Sequence, residues 1–217
     1  MSLQKRKAVY KLAQKYDILI LEDNPYGEIR FKGEDIPSIK SFDTDGRVVY
    51  AGSFSKVLSP GMRLGYAIAN KEIISKMTVC KQTDDVHTSM WSQLVAHRFM
   101  SEYDFEKHLM SIRSIYLEKA ELCMSLMDKY LAPKVDYFKV EGVSSVTSTA
   151  TDCRMTVEGT DMLEFCGKAI ENRVAVVPGT AFSVDTNAIS DRFRINYSTP
   201  TNQQIEDGIK ILSSLLK

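Results

Sequence analysis

The feature that most constrains this chain is a short apolar run ending in acids, placed directly after an amphipathic helix. Residues 4–16 carry Val9, Leu12, Ala13 and Tyr16 at helical spacing, with Arg6 and the lysines opposite. DILILED (17–23) follows at once, and a run this short and apolar reads as a buried strand. RVVYAGSF (47–54) repeats the pattern, and LGYAIA (64–69) makes a third. Helices alternating with apolar strands predict α/β units and not a sandwich.

Downstream, helical patterns cover 71–81 and 89–101, and a long one runs from Tyr103 to Tyr130. Its apolar stripe is Phe105, Leu109, Ile112, Tyr116, Cys123 and Met127. At ~1.5 Å per residue this helix is roughly 40 Å long, more than one small lobe needs. The remainder alternates short strands (137–140, 151–156, 174–177, 192–197) with helices at 161–171 and 201–216. Thr201 with Gln204 three residues on gives the last helix a capping box. The expected layout is a first lobe at 1–102, a bridging helix at 103–130 and a smaller α+β lobe at 131–217.

Composition removes several function classes. Lys plus Arg equals Asp plus Glu at 28 each, so no global field favours nucleic acid or an anionic membrane. No apolar run approaches the roughly 20 residues of a membrane span. The N-terminus, MSLQKRKAVYKLAQKYD, is too charged to hold a signal-peptide core. Cys80, Cys123, Cys153 and Cys166 show no paired spacing and read as reduced, structural thiols of a cytoplasmic protein. His87, His97 and His108 form no metal-ligand pattern, so no metal site is expected.

Chemistry gathers at the ends of the first two strands. In an open α/β sheet ligands sit beyond the carboxyl ends of parallel strands. The first strand runs out into EDNPYGEIRF (22–31) and the second into SFSKVLSPGMRLGY (53–66). Asp23, Tyr26, Ser53, Ser55 and Lys56 therefore converge on one crevice. An amine, a carboxylate, a phenol and hydroxyls suit an aldehyde cofactor held as a Schiff base, with the carboxylate keeping a pyridine nitrogen protonated. Arg63 adds charge-assisted hydrogen bonds for a phosphate. Each residue also has an ordinary alternative: Asp23 as a strand-end cap, Tyr26 as a turn aromatic after Pro25, Lys56 and Arg194 as surface charges.

EDNPYGEIRF followed by SFSKVLSPGMRLGY closely resembles the fold-type I pyridoxal-phosphate aminotransferases of the 2-aminoadipate and aromatic aminotransferase group. VPGTAF (177–182) and FRINYSTP (193–200) follow in the family's order, so the resemblance runs over nearly the whole chain. It implies a fold in which residues 1–102 are the C-terminal part of the cofactor-binding large domain, three strands of a mixed sheet. It implies pyridoxal 5'-phosphate as cofactor and an amino acid with a 2-oxo acid as substrates. By the same resemblance Lys56 is the Schiff-base lysine and proton-transfer base, and Asp23 pairs with the ring nitrogen. Tyr26 bonds the ring oxygen, Ser53 and Arg63 hold the phosphate with Ser55 beside them, and Arg194 clamps the substrate α-carboxylate. His87 is a further candidate substrate contact.

Two departures from the family pattern stand out. The glycine-rich phosphate loop, stacking aromatic and Asn-Pro-x-Gly motif of relatives do not occur, which implies a truncated chain with weak cofactor binding and little turnover by itself. Small hydroxyl residues fill EGVSSVTSTATDCRM (141–155), where relatives carry a glycine pair and larger side chains. Unpaired strand edges imply homodimerisation or other self-association through 1–102. The rival reading is the ligand-sensing domain of a MocR-type transcription regulator; a lyase on the same fold is a third.

Overall fold

A Schellman turn fixes how the chain leaves its first helix. In the computed structural model, which describes residues 1–132, 134–137, 150–155, 162–185 and 190–216, helix α1 spans Leu3–Lys15. Asp17 takes a left-handed φ of 50°. Its amide and that of Ile18 bond back to the carbonyls of Gln14 (3.4 Å) and Ala13 (3.0 Å). Asp17 therefore belongs to the helix terminus, and strand β1 is only Ile20–Asp23, shorter than the apolar run.

The buried face of α1 also differs from the expected stripe. Arg6, Tyr10 and Ala13 are buried, whereas Leu12 and Tyr16 are exposed. Arg6 is tolerated inside because its guanidinium donates to the carbonyls of Pro37 (2.9 Å) and Ile36 (3.2 Å). Glu22 of β1 lies 3.7 Å away as its counter-charge. Glu22 itself accepts the amides of Ile39 and Lys40 at 2.8 and 2.9 Å. A buried cation persists only when paired and hydrogen-bonded in this way.

Strand β2 is Val48–Ser53 and β3 is Gly65–Ile68; the sheet order is β1-β2-β3. β1 and β2 run parallel, with Ile20 opposite Val48 and Asp23 opposite Ala51. β3 runs antiparallel to β2, with Ser53 opposite Gly65, so the sheet is mixed. Ile20 and Val48 join Tyr10, Ile39, Val9 and Phe42 in the core on one side. Strand alternation turns Leu21 and Asp23 to the other face, where Leu21 is 71% exposed.

Asp43 is the electrostatic pivot of the turn that starts β2. Its carboxylate accepts the amides of Gly46 (2.9 Å), Arg47 (3.2 Å) and Val48 (3.1 Å) and the Lys40 ammonium (2.8 Å). Tyr10 reaches the same turn through its hydroxyl, which accepts the Thr44 amide at 2.8 Å and donates to Asp45 at 2.9 Å. Burial alone would raise the Asp43 carboxyl, but the Lys40 ammonium and the Val48 and Arg47 amides outweigh it and hold it below its ordinary value.

Helices α2 (Lys71–Asp84), α3 (Met90–Glu102) and α4 (Phe105–Tyr130) follow. Asn70 and Ser89 cap the first two through their side chains. The chain divides into two compact units, one comprising Met1–Arg113 and the other the described residues from Ser114 onward. In the second unit β4 (Val135–Tyr137), β5 (Ala150–Met155), β6 (Val177–Pro178) and β7 (Arg192–Asn196) form an antiparallel sheet in the order β4-β5-β7-β6. Phe193 and Ile195 of β7 are buried together with Phe165 and Cys166 of α5 (Met162–Glu171) and Ile205, Ile209 and Leu212 of α6 (Asn202–Leu215). The expected capping box starts α6: Thr201 Oγ1 accepts the Gln204 amide at 3.2 Å, and Gln204 Oε1 accepts the Thr201 amide at 2.8 Å. β6 overlaps the expected strand at 174–177 only at Val177; Arg173, at φ 65°, reverses the chain after α5, and the Val174 amide bonds back to the Ala169 carbonyl at 2.9 Å. Burial pushes the Cys123 thiol up to about 12, which keeps it a neutral core side chain. Among the described residues no helix is long and apolar enough to cross a membrane.

Replacing Asp43 by Ala should destabilise the first unit by about 3 kcal/mol, since buried amides and the Lys40 charge lose their partner. Because the folded carboxyl is depressed, its contribution is complete above the unfolded value of 3.8 and disappears as pH falls through the folded value. Urea unfolding followed at the β1–β2 amides should show the wild type losing more stability than Asp43→Asn between about pH 5 and about pH 2.

Candidate active site

Parallel pairing puts the carboxyl ends of β1 and β2 on the same side of the sheet. Asp23 ends β1 opposite Ala51, and Ser53 lies two residues further along β2 on the same face. The Asn24 amide donates to the Ala51 carbonyl at 2.9 Å, which carries the pairing one residue past Asp23. Between Asp23 and Ser53 the strand offers only Ala51, and Gly65 stands opposite Ser53, so the floor is made of small residues.

Beyond Ser53 the chain winds into a single turn. The Phe54 amide still bonds the Leu64 carbonyl at 3.0 Å, and the Leu58 amide closes back on the Phe54 carbonyl at 2.8 Å. Ser53 Oγ accepts the Ser55 amide at 3.1 Å. Val57 is buried and anchors the turn, which presents its neighbour Lys56 to solvent. The Lys56 ammonium lies 5.6 Å from the centre of the Tyr26 ring, a cation–π distance. Tyr26 is held by the turn Gly27–Ile29, whose last residue is fully buried.

Arg63 follows the short turn Pro60–Met62 with a φ of 50°. Its amide and Nη1 both donate to the Pro60 carbonyl at 3.3 Å, and the side chain is exposed. The structure thus brings Asp23, Tyr26, Ser53, Ser55 and Lys56 to one end of the sheet, with Arg63 on the loop leading back into β3. Adjacent acids have opposite fates here, because Glu22 is spent on Arg6 and two backbone amides while Asp23 is exposed.

Arg194 lies in the second unit, on the β7 face opposite to buried Phe193 and Ile195. Its guanidinium carbon sits 5.7 Å from the centre of the Phe182 ring, which ends the turn Gly179–Phe182. VPGTAF and FRINYSTP, ten residues apart, therefore meet at this pair. A Cβ on Gly179 would collide with Ser190 Oγ and come within 2.8 Å of the Arg192 carbonyl, so only glycine lets the turn lie against β7. His87 is exposed, with Nδ1 2.9 Å from the neighbouring Thr88 carbonyl. Of the hydroxyl-rich stretch 141–155, residues 141–149 lie outside the described residues.

Three contributors carried no sequence signal. Asn24 donates to the Tyr50 hydroxyl at 3.0 Å and shapes the turn before Tyr26. His108 lies 2.8 Å from the Val57 carbonyl, and Arg113 donates to the Glu28 carbonyl at 2.9 Å. Their partners are 51 and 85 residues away, beyond any local pattern.

Comparison with known proteins matches residues 1–212 to the family model "Aminotransferase class I and II". The chain belongs to this family. Family members depend on pyridoxal phosphate, and the fold is that of their fold-type I structures. An aromatic-amino-acid aminotransferase of Thermococcus litoralis is 34% identical over 217 residues, all of this chain and 50% of that protein. The crystal structure of Pyrococcus horikoshii kynurenine aminotransferase superposes with a TM-score of 0.92 at 33% identity, covering 100% of this chain and 52% of that one. An uncharacterised helix-turn-helix transcriptional regulator of Bacillus subtilis is 27% identical over 211 residues, 97% of this chain and 42% of that protein. The chain thus spans about half the length of the curated aminotransferases it matches.

Two glycines give opposed predictions for the second unit. Gly179→Ala should cost about 2 kcal/mol, because the Arg192 carbonyl is backbone and cannot step aside cheaply. Gly167, in α5 with open space around it, should gain about 0.5–1 kcal/mol when changed to Ala. Urea unfolding of both variants checks the pair.

Proposed function

We propose that this chain carries the lysine half of an aminotransferase site, which moves an amino group between an amino acid and a 2-oxo acid. The observation that carries the reading is the Lys56 ammonium set 5.6 Å from the Tyr26 ring, at the strand ends that also present Asp23 and Ser53. The residues present fit pyridoxal phosphate in their donor chemistry: an amine, a carboxylate, a phenol, hydroxyls and a guanidinium over a floor of Ala51 and Gly65. When bound, the cofactor supplies an aldehyde carbon for an amine and a ring that accepts electron density.

The remaining chemistry belongs to the chain. Asp23 holds a proton at the ring nitrogen, and Tyr26 donates its hydroxyl hydrogen bond to the ring oxygen. Ser53 and Arg63 bind the phosphate, with Ser55 beside them; the fork of Arg63 suits a doubly charged oxyanion. Lys56 Nζ takes the proton from the substrate Cα and returns it in the reverse direction. Arg194 binds the substrate α-carboxylate, a role for which a planar guanidinium steadied by Phe182 is suited. The protein is further proposed to self-associate, because Trp91, Leu94 and Val95 expose an apolar face of α3 to which a second copy can bind.

The regulator match supports a second reading, in which the same site binds a ligand as a sensor. Transfer decides between them: an enzyme passes the amino group on to a 2-oxo acid over repeated cycles, whereas a sensor binds without turnover.

Incubation with pyridoxal phosphate followed by borohydride should leave a pyridoxyl mass on the Lys56 peptide in preference to every other lysine. Lys56→Ala should abolish that label, and a label distributed evenly over surface lysines would overturn the assignment. In a full-length protein bearing this segment, Asp23→Ala should lower kcat by about 10²-fold or more. There Arg194→Ala should act mainly on KM, by about tenfold or more.

A further inference from the structure

Both loops of the candidate site are tied to the same stretch of α4. The Val57 carbonyl, one residue past Lys56, is 2.8 Å from His108 Nε2. The Glu28 carbonyl, two residues past Tyr26, accepts from Arg113 Nε at 2.9 Å. Lys56 and Tyr26 are the two side chains that meet at 5.6 Å, so their separation depends on two carbonyls held by one helix. Each tie is itself held in place. The His108 ring lies edge-on to Phe99 at 5.0 Å and beside Phe105 at 6.2 Å. Arg113 Nη1 donates to Glu106 at 2.6 Å, and Asp104 caps this end of α4 by accepting the Lys107 amide at 2.9 Å. Hydrophobic anchors flank both carbonyls, since the side chains of Val57 and Ile29 are buried.

We infer that His108 and Arg113 are positioning residues, which set the Lys56 amine against Tyr26 by clamping the two loops to α4. The inference rests on the reading of Lys56 as the cofactor amine. Carbonyl oxygens only accept, so His108 must carry a proton on Nε2. Among the described residues the other hydrogen bonds of the lysine turn lie within residues 53–64, and none of those fixes it to a second element outside the sheet and its return loop. His108 supplies that outside reference for Lys56, as Arg113 does for Tyr26. Neither residue touches the reacting atoms.

The test uses amide exchange at Leu58, whose N–H closes the lysine turn, together with the His108 ring tautomer, both by nuclear magnetic resonance on this chain. His108→Leu should speed Leu58 exchange about tenfold, the loss of one net hydrogen bond. Amides of the β1–β2 ladder should keep their rates. His108→Gln, whose side-chain amide can donate to the same carbonyl, should stay within about threefold of wild type at Leu58. The reductive label on Lys56 should slow in the Leu variant and recover in the Gln variant. Unchanged Leu58 exchange in His108→Leu would overturn the inference, as would an equal rise across the ladder or a Gln variant as fast as Leu. A wild-type ring protonated on Nδ1 alone would also overturn it, and this measurement stands even if His108→Leu does not fold. The tautomer and exchange results do not depend on cofactor binding, so a label appearing away from Lys56 refutes the cofactor reading without touching the clamp.

Discussion

Parallel pairing of β1 with β2 in one register is the constraint on which the site depends. Only when Asp23 stands opposite Ala51 do Asp23 and Ser53 share a face at adjacent strand ends. A slip of one residue would turn β1 over and exchange Asp23 for Glu22 at the site. The register is held at the opposite end of the strands by polar contacts. Asp43 gathers the amides that start β2, and Arg47 bonds the carbonyls of Ala13 and Ile18, both at 3.0 Å, just where α1 gives way to β1. Electrostatics at the amino ends thus determine which side chains emerge at the carboxyl ends.

The same logic explains why charged residues of one type behave differently along this unit. Glu22, Arg6 and Asp43 are consumed by backbone groups and by one another, and they hold Ile39 and Val48 in the core. Asp23 is left exposed at the end of β1, and Lys56 and Arg63 on turns whose next residue is buried: Val57 follows Lys56, and Leu64 follows Arg63. Burial of the neighbour orients Lys56 and Arg63 outward, and strand alternation does the same for Asp23. Rigid backbone with an exposed polar tip is the arrangement a bound anion and an amine chemistry need.

Much of this was legible in the sequence, for reasons that can be named. The apolar runs ending at Asp23 and Ser53 marked two strand ends, and the phenol, hydroxyls, amine and guanidinium just beyond them marked a candidate site. The helix from Phe105 to Tyr130 showed in its stripe, since Leu109, Cys123 and Met127 are buried. The α1 face was misread because Arg6 scores as polar, yet Glu22 and two carbonyls from the segment before Ser38 make its burial favourable. Asp17 looked like a strand residue because nothing local announces a left-handed C-terminal turn without glycine. His108 and Arg113 were invisible as site contributors, for their partners are carbonyls, which leave no trace in side-chain identity.

A crystal structure of this chain with pyridoxal phosphate tests the central claim most directly. The account predicts continuous density from Lys56 Nζ to the aldehyde carbon, with the ring nitrogen at hydrogen-bond distance from the Asp23 carboxylate and the phosphate on Ser53 and Arg63. Density joined to another lysine, or a ring nitrogen turned away from Asp23, would contradict it.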